Sequence, residues 1–340
     1  MPISIKVGQA GNGPAQRAQV YRGAINVTTP SSTSIAFAMF ARELIEAAFT
    51  GRDPELAQFD LPVDEYAAIL SALKPRFIHH PESKRFLQQL LAERGCDPAS
   101  TYFDVPRLRS STSDGYLTTG IAYAWHPHRD TWYSAPLAQL NYWMPVYDVS
   151  ADNAMAFHPE YFDRAIANDS PVYNYYEWNA KHRAAASSNV RTEVRPLPGP
   201  TEQVDLSSST VLVTPVGGTI EFSGHHLHSS VPNISGRTRF SIDFRTVNID
   251  DIRCGAGARN VDSHCTGSSI RDFISAADLS PMPDDVVALF NDGTETTGDL
   301  VYVPPGQAVS ARAEATLSRP AACAAPTAGP TRAAPRGPAA

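Results

Sequence analysis

The stretch GHHLHSSVPNISGRTRFSIDFR, residues 224–245, decides the fold because it combines three histidines, a polar turn and a two-faced strand. Side chains of a strand alternate between two sides, so Phe240, Ile242 and Phe244 share one face of residues 239–245. The opposite face is entirely polar: Arg239, Ser241, Asp243 and Arg245. A half-buried strand ordinarily turns such a face to water.

A second histidine cluster, HPHRD at residues 126–130, lies about a hundred positions upstream. His128 and Asp130 are two positions apart and would point to the same side of a strand. Together with the histidines at 225, 226 and 228, this cluster predicts that the polar face of residues 239–245 looks onto a metal site.

Composition limits the classes of function. The chain has 340 residues, a net charge of -7 and 19% charged residues, which is typical of a globular protein and argues against a nucleic-acid binder. No apolar run approaches the roughly 20 residues of a membrane span, and the N-terminal residues lack the apolar core of a signal peptide. The four cysteines form no CxxC pair, so neither a disulfide framework nor a structural zinc site is indicated. We expect a cytoplasmic setting.

The predicted secondary structure changes from helices to strands near residue 100. Helical spacing of apolar residues predicts three helices. The first covers 34–49, the second begins at Pro62 and is expected to end at Pro75, and the third runs from about Pro81 to Gly95. Short β-branched and aromatic runs then predict the strands 102–109, 120–125, 137–147, 210–215, 219–223 and 239–247.

The predicted organisation is a helical part at 1–100, a catalytic core at 101–303 with a lid insertion at about 160–200, and a disordered Ala/Pro-rich tail at 304–340. The fold class is mainly β with flanking helices. Its core would be a double-stranded β-helix, the cupin-like jelly roll, with the outer face packed on the N-terminal helices and the inner face lining a polar pocket.

A histidine, a carboxylate two residues later and a distant second histidine form the facial triad of non-haem Fe(II) oxygenases. Three protein ligands on one face of an octahedral ion leave three positions for a cosubstrate and dioxygen. His128 and Asp130 fit the first two positions, and one of His225, His226 and His228 would supply the third. His126 is in phase with His128, so a cupin-like histidine pair remains an alternative.

The chain resembles the phytanoyl-CoA dioxygenase-like branch of the Fe(II)/2-oxoglutarate-dependent oxygenases. The resemblance rests on His128-Arg129-Asp130, on the turn HSSVPNISGRTR at residues 228–239, and weakly on Asp152-Asn153. It implies metal ligation by His128, Asp130 and His228. An arginine eleven positions after the distal histidine binds the far carboxylate of 2-oxoglutarate in that family, and Arg239 stands at this distance.

The resemblance also implies that Ser241 shares this carboxylate with Arg239, and it offers Gln139 or Asn141 as partners for the chelating end. The implied cofactor is Fe(II), with 2-oxoglutarate and O2 as cosubstrates and succinate and CO2 as products. Because Asp130 is present, halogenation is disfavoured and hydroxylation, desaturation or ring closure is favoured.

Substrate contacts are less constrained by the sequence. Trp132 and Tyr133 follow the metal motif, either at the pocket mouth or as core packing. Arg245, with Arg107 and Arg109, is a candidate for binding an anionic group. His225 and His226 are expected to cap or pack near the site, and His158 has no assigned role.

The predicted function is a dioxygenase that oxidises a small organic metabolite in natural-product or amino-acid tailoring, without nucleic-acid or membrane partners. The oligomeric state is open, with a homodimer as one option. Two rival interpretations are a cupin-type metalloenzyme that does not use 2-oxoglutarate, and a jelly-roll binding or structural protein with incidental histidines.

Overall fold

The computed structural model describes residues 4–8, 11–118, 126–183, 193, 195–296 and 300. The predicted strand at 120–125 and the predicted tail at 304–340 lie outside these residues. Within the described part, no helix combines the length and the apolar character needed to cross a membrane.

Seven α-helices are found in the described residues. They are α1 Pro14–Tyr21, α2 Ser32–Phe49, α3 Val63–His79, α4 Pro81–Glu93, α5 Tyr175–Lys181, α6 Ile249–Arg253 and α7 Asp284–Ala288. Helix α2 begins where the Ser31 side chain accepts a hydrogen bond from the Ser34 amide, and α4 begins with a proline. Gly95, with a φ of 73°, adopts the left-handed conformation that follows the end of α4.

Pro75 does not end the second predicted helix, so that prediction was wrong. Helix α3 continues through Pro75 to His79. An internal proline costs a helix about 3 kcal/mol. Beyond it, however, Phe77 is fully buried and stacks on Phe37 of α2 at 5.8 Å between ring centroids. Burial of a phenylalanine contributes about 1.5–3 kcal/mol, which offsets much of the proline penalty.

Eleven strands form two sheets in the described residues. They are β1 Ile5–Val7, β2 Ile25–Thr28, β3 Thr101–Asp104, β4 Arg107–Ser111, β5 Leu140–Pro145, β6 Met155–Phe157, β7 Thr210–Leu212, β8 Thr219–Ser223, β9 His228–Ser230, β10 Arg239–Asn248 and β11 Phe273–Ser275. The large sheet has the order β1-β2-β8-β5-β10-β3-β11, with β4 also on β10, and the small sheet has the order β7-β6-β9.

The predicted fold class, a jelly-roll core packed on helices, is confirmed. Strand β10 is central: its Phe240, Ile242 and Phe244 are fully buried in the main core, which also contains Phe49 of α2 and Tyr66 of α3. Its polar face lines a cavity that also borders His228 of the small sheet. The large sheet therefore separates an apolar, helix-covered side from a polar interior.

The N-terminal residues contribute more than helices. Strand β2 pairs antiparallel with β8 at the register Val27↔Ile220, so the first hundred residues extend the large sheet. Helix α1 and strand β2 were not distinguished in the sequence, because both are short and weakly periodic. The proposed division into parts at 1–100 and 101–303 stays a prediction.

Candidate metal centre

The three predicted ligands, His128, Asp130 and His228, converge in the structure. One ligand atom from each lies within 4.8 Å of the others, and all three residues are buried. The Nε2 atoms of His128 and His228 lie 3.5 and 3.8 Å from Asp130 Oδ1. Two imidazoles and a carboxylate oxygen around one point form a donor set that suits a divalent first-row metal ion.

Backbone hydrogen bonds to the distal motif hold the first two ligands in place. His128 and His228 exchange both backbone hydrogen bonds at 3.0 Å, and the Asp130 amide donates to the Gly224 carbonyl at 2.9 Å. We expected the HxD motif to lie on a regular strand. Instead, Asp130 begins a 3-10 turn at Asp130–Tyr133. A Cβ at position 224 would lie 3.1 Å from Gln139 Nε2, which explains the glycine that opens the deciding stretch.

Hydrogen bonds also fix the tautomers of both histidines. His128 Nδ1 lies 2.8 Å from the His126 carbonyl, and His228 Nδ1 lies 2.9 Å from the His226 carbonyl. A carbonyl only accepts, so each Nδ1 carries the proton and each Nε2 presents its lone pair to the centre. Burial lowers the pKa of His228 to about 3, which keeps its ring neutral and competent to bind a metal.

The second oxygen of Asp130 is fully engaged by protein donors. Asp130 Oδ2 accepts hydrogen bonds from Gln139 Nε2 at 3.0 Å, Asn141 Nδ2 at 2.9 Å and Arg245 Nε at 3.2 Å. Burial acts to raise the pKa of Asp130, but Arg245 and the two histidines together hold it well below its usual range. This leaves Oδ1 as the oxygen available to a metal.

The predicted roles of Gln139, Asn141 and Arg245 in binding cosubstrate or substrate stay predictions. The structure shows all three donating hydrogen bonds to Asp130, a predicted metal ligand. Both Gln139 and Asn141 line the cavity. Their shared contact with Asp130 depends on the turn at Asp130–Tyr133, which the sequence did not predict.

Replacing Asn141 with alanine should weaken Fe(II) binding by roughly 10- to 100-fold, because loss of an outer hydrogen bond frees the carboxylate to rotate. Metal titration under anaerobic conditions measures this change. Asn291→Ala, at an exposed asparagine outside the cavity, is the matched control. Equal metal affinities for the two variants would show that Asn141 does not position Asp130.

Arg239 and Ser241 carry unsatisfied polar atoms beside this centre. Among the described residues, Arg239 Nε and Ser241 Oγ are buried without a hydrogen-bond partner, and both residues line the cavity. Arg239 donates to the Asn153 carbonyl at 2.8 Å and to Ser230 Oγ at 3.2 Å. Burial lowers the pKa of Arg239 to about 10, so the guanidinium stays charged at neutral pH.

The contact with Ser230 places the guanidinium relative to the metal ligands. Ser230 stands two residues after His228 on β9, a separation of about 7 Å along a strand. Among the described residues, Arg239 Nε and Ser241 Oγ are buried groups that lack partners here, and such donors suit the distal carboxylate of 2-oxoglutarate.

The cavity has a volume of about 450 Å³ and is lined on one side by residues of the predicted lid insertion. Tyr173, Tyr175 and Trp178 of the insertion line it, as does Tyr133 of the metal turn. Tyr133 packs edge-on against His128 at 5.6 Å and donates a hydrogen bond to the Pro198 carbonyl. Aromatic rings therefore flank the metal centre on its lid side.

Of the two alternatives for Trp132, the structure favours core packing. Its side chain is fully buried with Leu227 and Tyr161, and its indole N–H donates to Asp262 at 2.8 Å. Its alternative role in substrate binding has no support from this placement, because the residue does not line the cavity.

The remaining histidines of both clusters have structural partners. His225 Nε2 donates to the Phe162 carbonyl and His226 Nε2 donates to the Gly23 carbonyl, both at 3.1 Å. His158 bridges the hydroxyls of Ser209 and Ser229. Among the described residues, His126 does not join the three-ligand cluster.

The free energy of unfolding should fall as pH drops from about 6.5 towards 4, because burial lowers the pKa of His225 to about 4 and that of His226 to about 3. Both rings stay neutral when folded but take up protons when unfolded. Each histidine therefore lowers the free energy of unfolding by about 1.4 kcal/mol per pH unit across this window, and above about pH 6.5 this loss is absent. Urea unfolding of the metal-free protein at several pH values measures the slope. A constant free energy between about pH 7 and pH 5 would contradict this expectation.

Comparisons with known proteins show only remote likeness. No protein-family model matches the chain, and no curated protein matches it. Among solved structures, EvdO2 from Micromonospora carbonacea var. aurantiaca complexed with 2-oxoglutarate is 10% identical, with a TM-score of 0.41 over 70% of this chain and 92% of that chain.

Two further structures are similar at the same level. The non-heme monooxygenase ThoJ in its apo form is 12% identical, with a TM-score of 0.36 over 65% of this chain and 72% of that chain. The non-heme alpha ketoglutarate dependent epimerase SnoN from nogalamycin biosynthesis is 12% identical, with a TM-score of 0.35 over 70% of this chain and 84% of that chain. The assignment of the site therefore rests on its own geometry.

Proposed function

We propose that this chain is an Fe(II)- and 2-oxoglutarate-dependent oxygenase that oxidises, by hydroxylation, a small organic metabolite in natural-product or amino-acid tailoring. The observation that carries the proposal is the convergence of His128, Asp130 and His228, with both histidine Nδ1 atoms bound to carbonyls. This arrangement presents three ligand atoms on one side of a point inside a cavity.

The donor set fits Fe(II), and the cavity fits its cosubstrate. His128 Nε2, His228 Nε2 and Asp130 Oδ1 would hold the ion, leaving the cavity side for 2-oxoglutarate and O2. Arg239 Nε and Ser241 Oγ, which are buried and have no partner within the described part of the chain, would bind the distal carboxylate of 2-oxoglutarate. When bound, the iron supplies the oxidising chemistry that couples decarboxylation of 2-oxoglutarate to oxidation of a substrate C–H bond.

The protein's own contribution is orientation and exclusion of water. Gln139, Asn141 and Arg245 fix one oxygen of Asp130, so the other oxygen is held at a defined angle. Tyr173, Tyr175 and Trp178 line the cavity and would shield the reacting groups from solvent. A fixed set of three metal ligands beside aromatic side chains suits oxidation of an organic substrate.

The test is an anaerobic titration of the protein with Fe(II) and then with 2-oxoglutarate, followed by addition of O2. We expect one bound iron per chain, a visible charge-transfer absorption that needs both ligands, and release of succinate coupled to oxygen uptake. Iron binding without any response to 2-oxoglutarate would instead favour the cupin-type alternative. Failure to bind iron would exclude both metalloenzymes.

A further inference from the structure

We propose that the substrate carries an anionic group, a carboxylate or a phosphate, which binds at a basic subsite formed by Lys74, Arg107 and Arg109. The inference deepens the proposed oxygenase function and rests on it, because Asp130 is taken as a metal ligand. All three residues line the cavity. Lys74 belongs to α3, and Arg107 and Arg109 belong to β4. Strand β4 pairs with one edge of β10, whereas β5, which contains Asn141 and follows Gln139, pairs with the other edge.

The β-sheet register brings these cations beside the proposed cosubstrate site. Arg109 pairs across the strands with Ser241, and Arg107 pairs with Asp243. Cross-strand partners on one face lie about 5 Å apart, so Arg109 adjoins the hydroxyl assigned to 2-oxoglutarate. An anion held here would therefore lie next to the cosubstrate and within reach of the metal centre.

The carboxylates beside the subsite are shared between arginines. Asp104 is shared by Arg107 and by Arg245, the latter at 3.1 Å. Asp243 is shared by Arg109 at 2.7 Å and Arg245 at 3.7 Å. Because each carboxylate divides its oxygens between two guanidinium groups, an anionic ligand would supply Arg107 and Arg109 with further acceptors.

The two β4 arginines also retain donors for a ligand. Among the described residues, Arg107 donates through Nη1 to Asp104, whereas Arg109 donates through Nε and Nη2 to Asp243. The side chains of Arg107 and Arg109 remain 18% and 32% exposed, so their remaining N–H groups can reach a molecule in the cavity. Guanidinium groups bind carboxylates and phosphates through such paired donors.

The electrostatics of Lys74 agree with this role. Burial and the neighbouring Arg109 lower the pKa of Lys74 to about 7. A bound anion would stabilise its ammonium form. The opposite wall supplies flat surfaces, since Tyr175 and Trp178 line the cavity and Tyr175 is anchored by its hydroxyl to Asp272. The subsite therefore fits a small organic anion whose apolar body packs against aromatic rings.

The experiment uses protein loaded with Mn(II) and 2-oxoglutarate, and titrates it calorimetrically with phenylacetate, phenyl phosphate and the neutral phenylacetamide. We expect at least one anion to bind roughly tenfold or more tightly than the amide, because each charged hydrogen bond favours the anion. The tighter of the two anions identifies the group. Equal binding of all three probes would overturn the proposal.

Variants locate the subsite. Arg107→Gln and Arg109→Gln should each weaken the preferred anion roughly tenfold, with the amide and 2-oxoglutarate unaffected. Arg109→Lys should retain part of the affinity. Arg253→Gln, an exposed arginine paired with Asp285 outside the cavity, is the matched control and should bind as wild type. Unchanged anion affinity in both glutamine variants would contradict the assignment.

Two further measurements keep the outcomes distinct. Thermal unfolding reports whether each variant folds. If Arg109→Gln does not fold, the Arg107→Gln variant alone tests the subsite. We expect this variant to fold, because Asp104 keeps Arg245 as a partner when Arg107 is replaced. The same probes are titrated into metal-free protein. Anion binding there that depends on Arg107 would support the subsite even if iron and 2-oxoglutarate fail to bind. Probe binding that is independent of Arg107 with and without metal would exclude it.

Discussion

Replacing His228 with alanine should reduce Fe(II) affinity by more than about 100-fold and remove succinate formation. Changes in the outer hydrogen bonds of a metal ligand already cost 10- to 100-fold in affinity, and His228 is assigned to direct ligation. Its Nε2 lies 3.8 Å from Asp130 Oδ1, and its Nδ1 proton is already donated to the His226 carbonyl. The lost nitrogen has no substitute in the three-residue cluster. Anaerobic metal titration and assay of succinate measure the effect.

Controls separate ligation from folding. His264→Ala removes an exposed histidine outside the cavity and should bind Fe(II) like the wild-type protein. The His228→Ala variant should unfold at a temperature close to that of the metal-free wild-type protein. Retention of stoichiometric, tight iron binding by a folded His228→Ala protein would refute the ligand assignment and favour a site that uses other residues.

Replacing Arg239 with methionine should raise the KM for 2-oxoglutarate by roughly 100-fold while Fe(II) affinity is unchanged. A charged hydrogen bond contributes about 1.5–3 kcal/mol, and the guanidinium would lose more than one contact with the distal carboxylate. The structure leaves Arg239 Nε and Ser241 Oγ buried without partners among the described residues, which is costly unless a ligand satisfies them. Steady-state succinate assays at varied 2-oxoglutarate concentration give the KM.

The same substitution has a second readout in the ligand-free protein. Methionine removes an Nε that has no partner among the described residues, but it also removes the hydrogen bonds to the Asn153 carbonyl and to Ser230, so we expect the unfolding temperature to change little. Arg237→Met is the matched control, since Arg237 lies two residues away with a half-exposed side chain. An Arg239→Met protein with wild-type KM would remove Arg239 from the cosubstrate site, whatever its stability.

Local sequence rules predicted the elements that depend on neighbouring residues. Alternation in residues 239–245 predicted the two faces of β10, and both faces lie as expected: Phe240 is buried in the core and Arg239 lines the cavity. Helical spacing predicted α2 and α4, whose ends are set by Ser31 and Gly95. Period and capping are properties of a few consecutive residues, so they can be read without the fold.

Pro75 shows where local rules fail. Proline opposes a helix through its missing N–H and its ring, and both effects are local. The continuation of α3 to His79 depends on Phe77 stacking on Phe37, a contact between residues forty positions apart. Tertiary burial of the aromatic ring outweighs the local cost of proline, and no pattern around Pro75 reveals that partner.

The sequence by itself predicted which residues could hold a metal: His128 and Asp130 from spacing and side-chain type, and His228 from the family resemblance of the turn that follows it. Only the tertiary structure decided how they are oriented. Gln139, Asn141 and Arg245 converge on one oxygen of Asp130, and the His126 and His226 carbonyls set the tautomers of the two ligand histidines. The reason is physical: ligand identity follows from the chemistry of single side chains. Orientation depends on the turn at Asp130–Tyr133 and on two long-range contacts, Arg245 with Asp130 and the backbone pair of His128 and His228, which join segments about a hundred residues apart.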